Sequence, residues 1–332
     1  MTRSVAASFA VLPLLLLACT GTTPPANQPG DVPSADAPAA GASSTADAEQ
    51  IKRGEASLKS GDFQAARDTF QGIVDKNPSN ARALHYLGVS LENLGDKAGA
   101  EKHYRLALEK APELADATLN LSAMLIESGK SDDAILVLRA AIGKSPRDPG
   151  LRANLGHALA DKKDNDGAAK EYKASLASAD DPQVRLALAS VLAAAGKKDL
   201  ATAELEKIAA KADKRELLAT IGDAFGRLGA FAQCAGAFDK AIALQPAAEL
   251  HVQRGLCRHE LKDEAGAKDD YDKAIKLDGS YAPAWYYLGM YWRGAGKTAE
   301  ALKAFEKCKQ LKPDSPHGKK AAERISELKK AK

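Results

Sequence analysis

The residue types that most often carry catalysis or bind metals are present in this sequence, but they are not grouped. His259 and Glu260 open the string HELKD, which lacks the second histidine of the zinc-binding pattern HExxH. The six histidines are scattered, and no two of them stand four residues apart. No glycine-rich phosphate loop or nucleophile elbow is present in the sequence. We therefore expect a protein that is not an enzyme, with no catalytic residues, no metal site and no cofactor.

One cysteine stands where covalent chemistry is expected. Cys19 follows an apolar run of 14 residues, residues 5–18, which comes after Arg3 and contains Pro13. The run is too short for a membrane-spanning helix and is typical of a secretory signal peptide. The sequence therefore predicts a signal peptide at residues 1–18 and a thiol at the start of the mature chain.

Residues 16–19, with the sequence LLAC, resemble a bacterial lipobox. The resemblance implies cleavage before Cys19 and acylation of its thiol, which would hold the protein on a lipid membrane through its acyl chains. Thr20 stands where an aspartate would imply retention at the inner membrane, so the resemblance favours the periplasmic face of the outer membrane. The inner membrane, an ordinary secretory signal and an uncleaved anchor are the alternatives.

Residues 19–46 are rich in Pro, Ala, Ser and Gly and contain no aromatic residue. Such a segment cannot bury enough apolar surface to fold, so we expect a disordered tether. A flexible coil of this length spans about 30 Å, which would hold a folded part away from the membrane.

From residue 47 onward, small, aromatic and proline residues recur about every 34 residues, in units that begin near residues 47, 81, 115, 149, 182, 215, 248 and 282. The last unit shows the pattern in full, with Gly289, Ala301, Phe305 and Pro313 at positions 8, 20, 24 and 32. Small residues at positions 8 and 20 allow two antiparallel helices to approach closely, and an aromatic residue at position 24 fills the space beside them. Glycine near position 15 supplies the turn, and proline near position 32 ends the second helix.

This pattern resembles the tetratricopeptide repeat family, and the resemblance covers residues 47–315. It implies an all-α fold, a right-handed α-solenoid of about eight helix pairs. One pair buries too little surface to be stable alone, so neighbouring pairs must stack. Residues 316–332 carry Ala321, Ile325 and Leu328 at helical spacing and lysines on the other faces, so we expect a basic capping helix.

Several residues depart from the repeat pattern. The fifth unit has Leu205 at position 24 and no proline at position 32, so we expect it to be the least stable. Arg254 and Arg258 stand at usually apolar positions, and we expect packed aliphatic stems with solvated guanidinium groups.

Three cysteines, Cys234, Cys257 and Cys308, stand at positions where small packed side chains belong. Buried free thiols are the default expectation for such positions. A disulfide between Cys234 and Cys257 is the alternative, because their units are adjacent and an exported protein can be oxidised.

The resemblance also implies where a partner binds. In this family, positions 2, 5, 6, 9, 12 and 13 of each first helix line a groove, and we call this surface the groove face. Our candidate partner-binding residues on it are Arg82, His85, Asn93, Asn120, Asn154, His157, Asp223, Arg227, Tyr286, Tyr287, Met290 and Arg293. Asn120 and Asn154 share position 6, where related grooves use asparagine to clamp a peptide backbone; a merely solvated side chain is the alternative. The Lys and Asn pair that binds C-terminal carboxylates in chaperone-binding relatives is replaced by Ile51 and Glu55.

The charge balance and the repeats together define the expected function. Lys and Arg number 47 against 44 Asp and Glu, a net charge of +3, so no strong field for nucleic acid is indicated. We expect a membrane-tethered, non-enzymatic scaffold or assembly factor for a cell-envelope complex of the pilus, secretin or motility type. Its partners would be a polypeptide in the groove and a lipid membrane bound through acylated Cys19. The alternative is an adaptor that localises or activates peptidoglycan synthases or hydrolases.

Overall fold

The computed structural model describes residues 45–330, with side chains from residue 47. All regular structure in this range is helical, in seventeen helices without a strand, which confirms the all-α fold class. The predicted signal peptide, the lipidation site Cys19 and the tether up to residue 44 lie outside the described residues. Within residues 45–330, no helix is both long enough and apolar enough to cross a membrane.

The described chain divides into two compact bodies, and the division falls between Lys197 and Lys198. The N-terminal body contains α1 Thr45–Lys59, α2 Phe63–Lys76, α3 Ala81–Asn93, α4 Lys97–Lys110, α5 Ala115–Glu127, α6 Ser131–Lys144, α7 Pro149–Asp161, α8 Asn165–Leu176 and α9 Pro182–Ala194. The C-terminal body contains α10 Lys198–Lys211, α11 Arg215–Leu228, α12 Phe231–Leu244, α13 Ala248–Glu260, α14 Glu264–Leu277, α15 Ala282–Gly294, α16 Thr298–Leu311 and α17 Pro316–Lys330.

Each repeat consists of two consecutive helices, from α1 and α2 in repeat 1 to α15 and α16 in repeat 8. Aspartates precede the second helix in four repeats and accept a hydrogen bond from the backbone N–H three residues later, namely Asp62, Asp96, Asp164 and Asp263. This is the usual N-cap geometry, which satisfies one of the unpaired N–H groups at the start of a helix. The local sequence therefore determines where these second helices begin.

The turn inside each repeat requires a left-handed residue at position 15. Six repeats place glycine there, with φ between 72° and 87°. Repeats 4 and 7 place Lys163 and Lys262 there instead, with φ of 63° and 67°. A side chain in this region costs about 1–2 kcal/mol, so these two turns are held by the packing of the helices on either side.

The core of most repeats is built on one close contact between the two helices. In repeat 2, a Cβ on Gly88 would lie only 2.6 Å from Cε1 of Tyr104, whose side chain is fully buried. The same relation joins Gly54 to Phe70, Gly156 to Tyr172, Gly222 to Phe238, Gly255 to Tyr271 and Gly289 to Phe305.

Repeat 3 solves the same packing problem differently. It has Ser122 at position 8 and Leu138 at position 24, and both residues are buried. A larger residue on the first helix is thus accompanied by a smaller one on the second, which keeps the interior close-packed. Repeat 5 has Ala189 and Leu205 at these positions, and each is buried.

Candidate functional site

In the N-terminal body, candidate groove residues of repeats 2 and 3 join neighbouring repeats. His85 is buried, with its ring 5.0 Å from that of Tyr86 and 5.8 Å from that of Tyr104. Asn120 of the next repeat donates from Nδ2 to Nε2 of His85 at 3.0 Å. Because an amide nitrogen only donates, the imidazole proton is on Nδ1. Burial lowers the pKa of His85 to about 4, so the ring is neutral at neutral pH.

Repeat 4 places its candidates against repeat 3 and against its own second helix. Nδ2 of Asn154 donates to Oγ of Ser122 at 3.0 Å and to the carbonyl of Leu119 at 3.3 Å. Nδ1 of His157 lies 2.9 Å from the hydroxyl of Tyr172, and burial lowers the pKa of this histidine. A peptide backbone that used Nδ2 of Asn154 would have to share it with the preceding repeat.

Two candidates in this body are open to solvent. Arg82 is exposed, and its Nη2 lies 2.6 Å from Oε1 of Glu55 while its guanidinium lies 5.7 Å from the ring centroid of Tyr86. Asn93 is exposed at the end of α3 and donates to a carbonyl of its own helix, at 2.9 Å. These side chains are accessible to another chain without breaking a contact between the cores of two repeats.

In the C-terminal body, repeat 6 carries a carboxylate in an unfavourable position. Asp223 is half-buried, and burial raises its pKa to about 6, with Arg227 opposing this shift and Glu249 adding to it. Nε of Arg227 is buried and has no hydrogen-bond partner within residues 45–330. Burial of this carboxylate and of the unpaired Nε therefore costs folding free energy.

The candidates of repeat 8 lie under the last helix of the chain. The His317 ring of α17 packs 5.3 Å from the ring of Tyr286 and 5.5 Å from that of Tyr287. Arg293 forms an ion pair of 3.5 Å with a glutamate of α17, and Met290 packs in the same hydrophobic cluster. α17 thus covers part of the groove face of this repeat, while Arg293 stays exposed.

Comparison with known families agrees with this repeated geometry. Models of the tetratricopeptide repeat match residues 51–115 and 220–282, residues 125–184, and residues 282–315. The chain belongs to the tetratricopeptide repeat family. The TPR resemblance proposed from the positions of glycine, alanine and aromatic residues is therefore confirmed.

Individual proteins show how far the likeness extends. A tetratricopeptide repeat protein from Parabacteroides merdae superposes with a TM-score of 0.51 at 18% identity, over 74% of this chain and 98% of that chain. Cellulose synthase 2 operon protein C from Komagataeibacter xylinus is 31% identical over 147 residues, 44% of this chain and 11% of that protein. Protein O-mannosyl-transferase TMTC1 from Homo sapiens is 25% identical over 260 residues, 75% of this chain and 25% of that protein. The chain thus spans about a tenth and a quarter of the lengths of these two relatives.

Repeat 7 of this TPR protein contains a buried ion cluster that was not predicted from the sequence. The carboxylate of Asp270 has no solvent exposure, and Nε of Arg254 donates to its two oxygens at 3.1 and 3.0 Å. Nη1 of Arg258 donates to Asp270 at 2.9 Å, Nδ1 of His251 lies 3.1 Å from it, and Nη1 of Arg254 donates to Asp239 at 2.5 Å. Burial acts to lower the pKa of Arg254, but these carboxylates raise it.

The expectation of solvated guanidinium groups was therefore wrong for Arg254, which is only 8% exposed. The signal that was available is the pair of opposite charges at position 7 on the first helix and position 23 on the second helix of one repeat. The cluster joins α12, α13 and α14, so it holds repeat 6 to repeat 7.

The same TPR interface is also covalently linked. Cys234 of α12 and Cys257 of α13 form a disulfide, with their Cα atoms 6.0 Å apart. The expectation of free thiols was wrong for this pair, because the small positions of adjacent repeats face each other. It is confirmed for Cys308, which is free and buried, and burial raises the pKa of its thiol to about 11.

Metal-binding side chains are not brought together by the TPR stack in the part of the chain that the structure describes. Within residues 45–330, no three His, Cys, Asp or Glu residues form a group that could hold a metal ion. The polar clusters that do form connect one helix to another.

Proposed function

We propose that this TPR protein is a membrane-tethered, non-enzymatic scaffold that binds a polypeptide during assembly of a cell-envelope complex. The observation that carries the proposal is the repeat architecture. Each helix pair buries its small and aromatic residues, while polar residues such as Arg82 and Asn93 stay open on the groove face. Stacked repeats of this kind present an extended surface suited to another polypeptide.

The proposal of a membrane tether is supported by the N-terminal residues of the sequence. Cys19 follows an apolar signal-like run, and no charged residue separates the two. The disulfide between Cys234 and Cys257 supports an oxidising compartment, because such bonds persist in exported proteins and are rare in the cytosol. The envelope, on the periplasmic face of the outer membrane, is the compartment that fits both features.

One relative is in keeping with a role in envelope assembly. The name of cellulose synthase 2 operon protein C associates that protein with a cellulose synthase operon. For the present chain, we propose an assembly role beside an envelope machine of the pilus, secretin or motility type.

Labelling with a radioactive fatty acid tests the anchor. Wild-type protein should incorporate the label and fractionate with membranes, whereas Cys19→Ser should do neither. Cys308→Ser is the matched control, because it removes a thiol that the fold buries. Label retained in the Cys19→Ser variant would exclude acylation at this position.

Crosslinking in intact cells, followed by mass spectrometry of the purified protein, tests the partner. Pilus, secretin or motility subunits would support the proposal, and peptidoglycan synthases or hydrolases would support the adaptor alternative. The variant Arg82→Ala with Asn93→Ala should reduce the yield of partner, since both residues are open on the groove face. Undiminished recovery with this variant would exclude that part of the surface.

A further inference from the structure

Three ion pairs link neighbouring repeats in the N-terminal body. A lysine near the turn of one repeat binds a carboxylate on the second helix of the preceding repeat. The pairs are Lys130 with Glu101 at 2.9 Å, Lys162 with Asp132 at 2.8 Å and Lys197 with Asp166 at 2.6 Å. In each of them the carboxylate neutralises an ammonium group at the turn edge of the repeat.

Repeat 8, in the C-terminal body, has the lysine of this series without the carboxylate. Lys297 occupies position 16, as Lys130 does in repeat 3, but the preceding repeat has Lys268 at position 21, where Glu101 stands in repeat 2. Lys297 and Lys268 thus stand where repeats 3 and 2 have a lysine and a glutamate. Within residues 45–330, Lys297 has no carboxylate in ion-pair contact.

Both ammonium groups lie beside one indole ring. Nζ of Lys297 is 4.8 Å from the ring centroid of Trp292, and Nζ of Lys268 is 5.3 Å from it. Lys268 also binds Asp272 at 2.5 Å, so the local charge of the three ionised side chains is one positive charge. Cation–π contacts of this kind hold ammonium groups in place without neutralising them.

The indole ring of Trp292 packs against a neighbouring ring, and its N–H group has no acceptor in the described part of the chain. The ring of Tyr291 packs edge-on against Trp292, with centroids 4.9 Å apart. Trp292 is half-buried, and its indole N–H has no hydrogen-bond acceptor in the described part of the chain. A hydrogen-bond donor therefore stands next to an uncompensated positive charge.

We propose that Trp292, Lys268 and Lys297 form an anion site that receives an acidic side chain of a polypeptide partner. The carboxylate chemistry follows from the equivalent place between repeats 2 and 3, where Glu101 binds Lys130 from within the chain. None of the three residues occupies a groove-face position, so this is a second contact point for a partner. The polypeptide class of that partner rests on the proposed function.

Tryptophan fluorescence can report on this site, because the protein contains only two tryptophans. Trp285→Phe leaves Trp292 as the single source of tryptophan fluorescence. Quenching by iodide, an anion, is compared with quenching by neutral acrylamide. The variant Lys268→Gln with Lys297→Gln should lower the iodide-to-acrylamide quenching ratio at least about twofold, because the lysines concentrate anions near the ring.

The matched control is Lys303→Gln with Lys309→Gln, two exposed lysines on α16 of the same repeat. It removes the same net charge and should leave the ratio unchanged. An equal fall in both double variants, or no fall in the first, would overturn the site. Circular dichroism checks that Trp285→Phe folds; if it does not, the wild-type chain is compared with Trp292→Phe, and the difference reports Trp292.

A hexaglutamate peptide tests the ligand. It should protect Trp292 from iodide in the wild-type site and not in the Lys268→Gln, Lys297→Gln variant, whereas hexalysine should give no protection. Protection by inorganic phosphate or by phosphatidylglycerol vesicles, without protection by the peptide, would overturn the polypeptide assignment. Crosslinking at the groove face is unaffected by either result, so failure here is distinguishable from failure of the proposed function.

Discussion

Nδ2 of Asn120 donates to Nε2 of His85 across the boundary between repeats 2 and 3, at 3.0 Å. The contact requires a neutral imidazole, because a protonated ring has no acceptor nitrogen. A residue expected to meet a partner thus also fastens one repeat to the next, and its charge state determines whether it can do so.

Acidification should therefore weaken the fold through His85. Its pKa is about 4 in the folded protein against 6.5 in the unfolded chain, so between these values only the unfolded chain takes up the proton. The free energy of unfolding then falls as the pH is lowered, by about 3 kcal/mol in all. Urea titrations from pH 7 to pH 4 should show this loss in the wild type but not in His85→Gln. Identical pH slopes for the two proteins would contradict the assignment.

The contact between Gly88 and Tyr104 predicts opposite effects for two similar substitutions. Gly88→Ala should lower the free energy of unfolding by about 1–3 kcal/mol, because the new Cβ would overlap the tyrosine ring. Gly72→Ala lies in α2 with open space around it, so it should raise that free energy by about 0.5–1 kcal/mol through helix propensity. Thermal and urea unfolding measure both changes. If both variants changed the free energy of unfolding in the same direction, the contact between Gly88 and Tyr104 would not limit the packing.

The buried cluster in repeat 7 should be sensitive to loss of its central carboxylate. Asp270→Asn leaves Arg254 buried with one fewer counter-charge, which typically costs about 3–5 kcal/mol. Asp272→Asn on the same helix removes a half-exposed carboxylate paired with Lys268 and should cost at most about 1 kcal/mol. Urea unfolding of both variants gives the comparison. A small, equal loss in the two would mean that the cluster adds little to the stability of the C-terminal body.

Repeat 5 should exchange its backbone amides faster than the other internal repeats. It lacks the glycine and aromatic pair, with Ala189 and Leu205 in those places, and it has no proline at position 32 to end its second helix. Mass spectrometry of deuterium uptake in α9 and α10 measures the rate. Protection equal to that of repeats 4 and 6 would refute this prediction.

The periodic part of the fold could be predicted from sequence because it depends on residue size and backbone conformation. The pairing of Gly88 with Tyr104 predicts a close helix pair, and a glycine at position 15 predicts a left-handed turn. These properties repeat in each unit, so many weak signals add up. Repeat 3 shows that the period survives even where serine and leucine replace the usual pair.

Contacts between repeats were harder to predict, because they depend on which side chains of two different units face each other. The link between Cys234 and Cys257 and the burial of Arg254 against Asp270 both arise in this way. The covering of Tyr286 by His317 likewise depends on where α17 packs. A groove residue is recognisable from its position in the repeat, but its availability depends on its neighbours.

Site-specific photocrosslinking tests most directly whether the groove face binds a polypeptide. A photoreactive amino acid at Asn93 is placed on that face, and one at Leu136, which is 67% exposed on the second helix of repeat 3, is the control. In cells that express the full chain, the probe at Asn93 should form a discrete polypeptide adduct that the probe at Leu136 does not form. The same adduct at both positions in equal yield, or no adduct at Asn93, would contradict the scaffold proposed here.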